Sequence, residues 1–215
     1  MRKVAVIIGA GPGIGQAVAE KFGTEGFSVA LISRKKEKLE AICKDLTDKG
    51  IDAIAIVGDA GDTDSMKDAF NQIWEHWDRI DVVHYNVAKL KKVDIAIETA
   101  DGLTRDFKIN VAGIMNVVQL TVPDMEKLGT GALLITGGGF ALHPHPQYGS
   151  LSIGKAAVRN LANSLHIALA PKNIFVGTVT VCGLVDPNAE KHTPKNIAAQ
   201  FWKLYTEKKN FEIQF

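Results

Sequence analysis

Residues able to do chemistry gather in a few short segments of this chain. The first is Gly9-Ala10-Gly11-Pro12-Gly13-Ile14-Gly15, which follows the apolar run Val4–Ile8 and opens a stretch of helical spacing. Glycine admits positive φ and close backbone approach. The helix that follows offers N–H groups and the positive end of its dipole to an anion. In a strand–turn–helix setting the string reads as the pyrophosphate cradle of a dinucleotide site; the bland alternative is a tight turn without a ligand. The second segment is Ser33-Arg34-Lys35, at the end of the next apolar run. An NAD site places a carboxylate near this point to accept the ribose hydroxyls. Ser33 stands there instead, and the planar fork of Arg34 suits a 2′-phosphate. Lys35 and Lys36 could add charge. NADP(H) is therefore the expected cofactor, with NAD(H) second; otherwise Arg34 simply starts an exposed helix.

The spacing of Gly9, Gly13 and Gly15 resembles the Thr-Gly-x-x-x-Gly-x-Gly turn of the short-chain dehydrogenases/reductases, and the resemblance runs through the chain. Asp59-Ala60 stands where that family contacts adenine. Tyr85-Asn86-Val87-Ala88 is a degenerate form of its Asn-Asn-Ala-Gly, and Asn110 matches its helix asparagine. Lys155-Ala156-Ala157 matches the end of its Tyr-x-x-x-Lys segment, and Cys182-Gly183 takes the place of its Pro-Gly. The resemblance implies cofactor contacts at Gly9, Gly11, Gly13, Ile14, Gly15, Ser33, Arg34, Asp59, Ala60, Asn86, Val87, Ala88, Lys155, Gly183 and Val185. It also implies dimers or tetramers built through the helices near 100–127 and 150–170, and the apolar content of 116–122 and 161–169 is compatible with that.

The family's chemistry needs a tyrosine four residues before the lysine, which puts both on one helix face. A free phenol titrates near ~10, and a neighbouring cation favours the phenolate. The tyrosine can then exchange a proton with a substrate oxygen as hydride moves, while a serine after the fifth strand binds that oxygen. Here Leu151 occupies the tyrosine's position and Gly138 the serine's. Asn110 and Lys155 remain. Tyr148 lies three residues before Leu151, so a helix would carry it on nearly the same face, ~4.5 Å toward the N-terminus. Asn110, Tyr148 and Lys155 are thus the candidate catalytic residues, with His143 and His145 as further proton donors. Gly137-Gly138-Gly139 would form either an anion nest or a tight turn. The segment 184–193 is short for a substrate lid, which predicts an open site.

These residues need a frame. Apolar runs at 4–8, 28–32, 51–57, 80–85, 132–136 and 174–181 read as strands. Stretches of helical period at 13–24, 35–49, 63–77, 100–127, 150–170 and 194–208 read as helices, the fourth bent near Pro123, with Phe211–Phe215 closing the sheet edge. Asp62 or Thr63 is a plausible cap for the third helix, and Gly50 a stop for the second. Strands alternating with helices imply one doubly wound Rossmann-type α/β domain, 1–215, around a parallel sheet.

Composition excludes several classes. The chain has 215 residues, 46% of them hydrophobic, and a net charge of +1. No global field draws nucleic acid, and no apolar run is long enough for a signal peptide or membrane span. Two cysteines, far apart, suit neither a disulfide framework nor a zinc site; both read as small core residues. A cytoplasmic setting and no metal are expected. The sequence predicts an NADP(H)-dependent oxidoreductase acting on a carbonyl or alcohol through an atypical site. The rival readings are a cofactor-binding sensor or partner-binding protein without hydride chemistry, or a transferase or lyase on the same scaffold.

Overall fold

The computed structural model describes residues 2–215. Seven strands, β1 (Val4–Ile8), β2 (Ser28–Ser33), β3 (Ala53–Val57), β4 (Val82–Tyr85), β5 (Gly131–Thr136), β6 (Ile174–Thr180) and β7 (Glu212–Gln214), form one sheet in the order β3-β2-β1-β4-β5-β6-β7. Every neighbouring pair is parallel. Helices α1 (Ile14–Thr24), α2 (Lys36–Asp48), α3 (Thr63–His76), α4 (Ala100–Phe107), α5 (Gly113–Leu128), α6 (Gly149–Leu169) and α7 (Pro194–Glu207) make the crossovers.

The apolar strands are continuous rather than alternating because both faces are covered. Successive side chains of β1 point to opposite faces. Val4, Val6 and Ile8 join a core with Phe70 of α3, Val117 of α5 and Val158 of α6. Ala5 and Ile7 join another with Phe22 of α1, Leu39 of α2 and Phe201 of α7. Strand order reverses between β1 and β4, and in open α/β sheets a ligand crevice opens at such a switch point. At the far edge, Arg159 of α6 grips Glu212 through both carboxylate oxygens, and Thr180 donates to the same carboxylate at 2.6 Å. That pairing fixes the short β7 strand expected near 211–215.

Local chemistry sets the boundaries. Asp62 caps α3 by accepting from the Ser65 N–H at 2.8 Å. Gly50, at φ +78°, ends α2. The long helix expected over 100–127 is corrected: α4 and α5 are separated by a π turn at Lys108–Ala112, while Pro123 sits inside a continuous α5. A π turn loosens the i→i+4 ladder, and the released groups bond elsewhere, as described below.

Cys182 is a second correction. It is exposed, whereas Cys43 is half-buried with its thiol on the Ala53 carbonyl. Much of the apolar content of 116–122 and 161–169 also faces the core, through Val117, Val118, Val122, Leu165 and Leu169. Exposed apolar side chains on α4, α5 and α6 are Phe107, Met115, Leu128, Ile153 and Ile167. Among the described residues no helix is long and apolar enough to cross a membrane, and no cluster of His, Cys, Asp or Glu is gathered to hold a metal ion.

Candidate active site

A cleft of about 270 Å³ opens at the C-terminal ends of β1, β2 and β4. It gathers Gly9, Gly11, Ser33, Arg34, Asp59, Ala60, Asn86, Val87 and Ala88 from four separate loops. The backbone explains the closeness. Gly9 has φ +82°, and a Cβ there would lie 2.6 Å from the Asn86 carbonyl oxygen. A Cβ on Gly15 would lie 2.7 Å from the Gly9 oxygen. Asn86 Nδ2 donates to that same oxygen at 3.2 Å, tying β4 to the turn. Gly13 has φ +120° and open space where a Cβ would stand, and it caps α1 without any side-chain partner. No acidic residue occupies the first turn of α1. The cradle is therefore shaped and polarised for a phosphate group. Gly13, Ile14 and Gly15 lie beside the cleft rather than in its wall.

One end of the cleft is basic. Arg34, Lys35 and Lys38 line it, and the Arg34 guanidinium stands 3.9 Å from the Asp59 carboxylate. Lys36 turns away to Glu40 at 3.8 Å. Lys38 takes the place the sequence reading gave to Lys36. The signal was available, since 35 and 38 share a helix face while 36 does not.

Tyr85 and Ile109 form a connection that the sequence reading missed. The buried Tyr85 hydroxyl donates to the Ile109 carbonyl at 2.7 Å, inside the π turn. Burial, and then the Asp59 carboxylate, hold this phenol above its usual range, so it stays a donor. Gly113 makes room: a Cβ there would collide with the Tyr85 hydroxyl. Ile109 in turn walls the cleft. The next residue, Asn110, is buried and accepts from the Lys89 N–H at 2.6 Å through Oδ1, while its Nδ2 has no protein partner.

Beyond the cleft lie the residues of the opposite end. Lys155 is half-buried on α6 and donates to the Thr136 carbonyl at 2.7 Å. Burial pushes its ammonium down to about 8. Its stem runs over Gly138: a Cβ there would meet three stem carbons at 3.4 Å. Leu151, one turn earlier, is buried at 5% exposure. Thr136 also contacts His84, whose Nε2 is 2.9 Å from its hydroxyl. Burial, with Lys155 nearby, pushes His84 down to about 3, so the imidazole is neutral.

Tyr148 is not on the helix. It precedes the first turn of α6 with φ −127° and ψ 37°. Its ring stacks on Phe140 at 5.6 Å and meets His145 edge-on. Tyr148 therefore does not ride one helical turn before Leu151, as its spacing predicts. His143 and His145 are exposed. His145 Nδ1 accepts from the Gln147 N–H at 3.2 Å. Gly137 and Gly139 donate to the Val179 and Val181 carbonyls at 2.9 and 2.7 Å. These N–H groups extend the ladder to β6 rather than forming an anion nest, while the Ala141 and Leu142 N–H groups donate to the Gly138 and Gly139 carbonyls, both at 2.9 Å, and close a tight turn. Gly183 is exposed and Val185 half-buried; neither lines the nucleotide cleft, and neither does Lys155. In segment 184–193, the Asp186 N–H reaches the His192 carbonyl at 3.3 Å and Leu184 projects into solvent.

Comparison with known proteins agrees with this frame. A family model described as short chain dehydrogenase matches residues 3–198. Dehydrogenase/reductase SDR family member 4 of Sus scrofa is 27% identical over 86% of this chain and 67% of its own length. The crystal structure of YwfH, an NADPH dependent reductase involved in bacilysin biosynthesis, superposes with a TM-score of 0.90 at 20% identity, covering 100% of this chain and 96% of that one. A short chain dehydrogenase/reductase from Burkholderia phymatum in complex with NAD gives 0.91 at 19% identity, with 99% and 88% covered.

Proposed function

The chain belongs to the short-chain dehydrogenase family, and on that premise we propose that it is an NADP(H)-dependent oxidoreductase acting on a carbonyl or alcohol. The observation that carries this reading is the ribose end of the cleft. Arg34, Lys35 and Lys38 converge there beside Ser33, with no carboxylate at the end of β2. A 2′-phosphate would meet cations, and a planar guanidinium binds phosphate in two-point fashion. NAD(H) fits the same cleft with fewer partners. Asp59 and Ala60 would border the adenine, the Gly9–Gly15 turn the pyrophosphate, and Lys155, Gly183 and Val185 the nicotinamide half. A bound nicotinamide dinucleotide supplies or accepts the hydride. Asn110, Tyr148 and Lys155 would stand at the reacting end.

The protein on this reading is one cytoplasmic domain, 1–215, with a short lid at 184–193 and a small-molecule substrate. It assembles as a homodimer or homotetramer through α4, α5 and α6, where Phe107, Met115, Ile153 and Ile167 are exposed. Titration calorimetry with NADPH and NADH, followed by a carbonyl panel with NADPH oxidation read at 340 nm, tests the function. NADPH bound more tightly than NADH, with turnover of at least one carbonyl, is the expected result. Equal affinities would remove the cofactor preference. A second reading is favoured by one specific observation: Leu151 and Gly138 stand where the family holds its tyrosine and serine. Tight NADPH binding with no turnover would make the chain a cofactor-binding sensor or partner subunit.

A further inference from the structure

Resting on the oxidoreductase reading, we propose that Lys155 is itself the proton donor of this site, delivering a proton from its ammonium to the substrate oxygen. The geometry supports this from several sides. Leu151 is carbon only, so the helix face that carries Lys155 brings no phenol. Tyr148, before the helix, is stacked into a cluster with Phe140 and His145. The Lys155 stem passes over Gly138, three of its carbons at 3.4 Å from where a side chain there would begin. A lysine therefore covers the place where the family's serine side chain would start. Nζ makes one bond, to the Thr136 carbonyl at 2.7 Å, and faces no carboxylate. An ammonium has three N–H donors, so two remain for a substrate oxygen.

Lys155 gives one proton to the carbonyl oxygen as the carbonyl carbon accepts hydride from the reduced nicotinamide. The C=O π pair moves to the oxygen, the N–H pair stays on nitrogen, and the neutral amine is reprotonated from water. Burial that lowers an ammonium toward neutrality is what a general acid working near pH 7 requires, and Lys155 sits at about 8. The groups around it do not compete. His84 of β4, beyond Thr136, is neutral. Arg159, one turn along α6, is engaged by Glu212 of β7. Asn110 faces Gly154, beside Lys155, with an amide that carries no charge. His145 and Tyr148 belong to the cluster ahead of α6.

The test joins a binding-independent readout to a kinetic one. Acetic anhydride labelling of the ligand-free protein across pH, read by mass spectrometry, should show Lys155 half-reactive near pH 8. A free lysine peptide in the same mixture, with the ordinary value of ~10.4, should respond at least a unit higher. Lys155→Arg keeps the positive charge but cannot release a proton. Measured at saturating NADPH, it should lose ~100-fold or more in turnover. Wild-type kcat/KM for reduction should fall as pH rises above about 8. Labelling of Lys155 at the same pH as the free peptide, or turnover retained by Lys155→Arg, overturns the assignment. Turnover lost in Tyr148→Phe but kept in Lys155→Arg gives the proton to the phenol. Absence of turnover in wild type with NADPH bound overturns the oxidoreductase reading itself, and the proton donor with it.

Discussion

The two ends of the sheet's C-terminal edge are built on different principles. The nucleotide end, around β1, β2 and β4, is made by backbone: glycines whose missing Cβ atoms let strands and turn approach within van der Waals distance. The reacting end, around β5 and α6, is made by side chains that hold one another: Lys155 on Thr136, Thr136 on His84, Tyr148 on Phe140. Backbone geometry is dictated locally and tolerates little change. A side-chain cluster can exchange members and still close. On this difference a chain could keep its glycine turn while the side chains of the other end vary. The comparison predicts that substitutions at the first end abolish binding, whereas those at the second shift stability and proton equilibria.

The largest effect should come from Gly9→Val. It places a branched side chain at φ +82°, where the Cβ alone would lie 2.6 Å from a backbone oxygen. Branched residues do not adopt that region without strain. NADPH affinity should fall by more than ~100-fold, about 2.7 kcal/mol. Affinity unchanged by calorimetry would mean that the turn does not hold the phosphate. Next comes Arg34→Asp, which replaces the guanidinium beside Asp59 with a second carboxylate. Charge-assisted hydrogen bonds are worth ~1.5–3 kcal/mol, so NADPH should weaken ~30-fold while NADH changes little. A parallel loss for both cofactors would place Arg34 in the fold rather than at the 2′-phosphate.

Tyr85 ties β4 to the π turn, and it also shows where sequence reading stops. The glycine turn, the continuous apolar strands and the charged α2 were legible because each follows from one residue type at one period. Strand and helix positions therefore came out within a few residues. Tyr85 gave no such signal: nothing in a strand-end tyrosine says that its hydroxyl will meet a carbonyl freed by a π turn. The π turn itself was hidden, because apolar spacing across 100–127 is nearly that of an unbroken helix. Tyr148 was misplaced for the converse reason. Its spacing to Leu151 suits a helix, but α6 begins only at Gly149. Tyr85→Phe removes the part-buried bond to the Ile109 carbonyl, a cost of ~1.5 kcal/mol. Urea denaturation should show that loss, and hydrogen exchange should accelerate across 108–113. An unchanged midpoint would mean that water replaces the hydroxyl.

The smallest effect, and the one that separates the two ends most cleanly, is the pH dependence carried by His84. Its imidazole is fully buried among apolar neighbours, against Phe201 at 4.4 Å between ring centroids. Burial lowers its folded value to about 3, against 6.5 for an ordinary histidine. The unfolded chain thus takes up a proton below pH 6.5 that the folded chain refuses. Stability is fully present above 6.5 and is lost as pH falls through the window from 6.5 to about 3. From pH 7 to 5.5 the loss should be about 1.3 kcal/mol. Lys155 acts in a separate window, between 10.5 and about 8, so it does not contribute there. The lowered carboxylates Glu98 and Glu212 act below their ordinary 4.5. His84→Gln keeps a hydrogen-bonding group near Thr136 but cannot titrate. Its stability should be flatter than wild type by that amount over the same interval. Equal slopes for the two proteins would mean that His84 reaches solvent, and that Thr136 and Lys155 do not rest on a neutral partner.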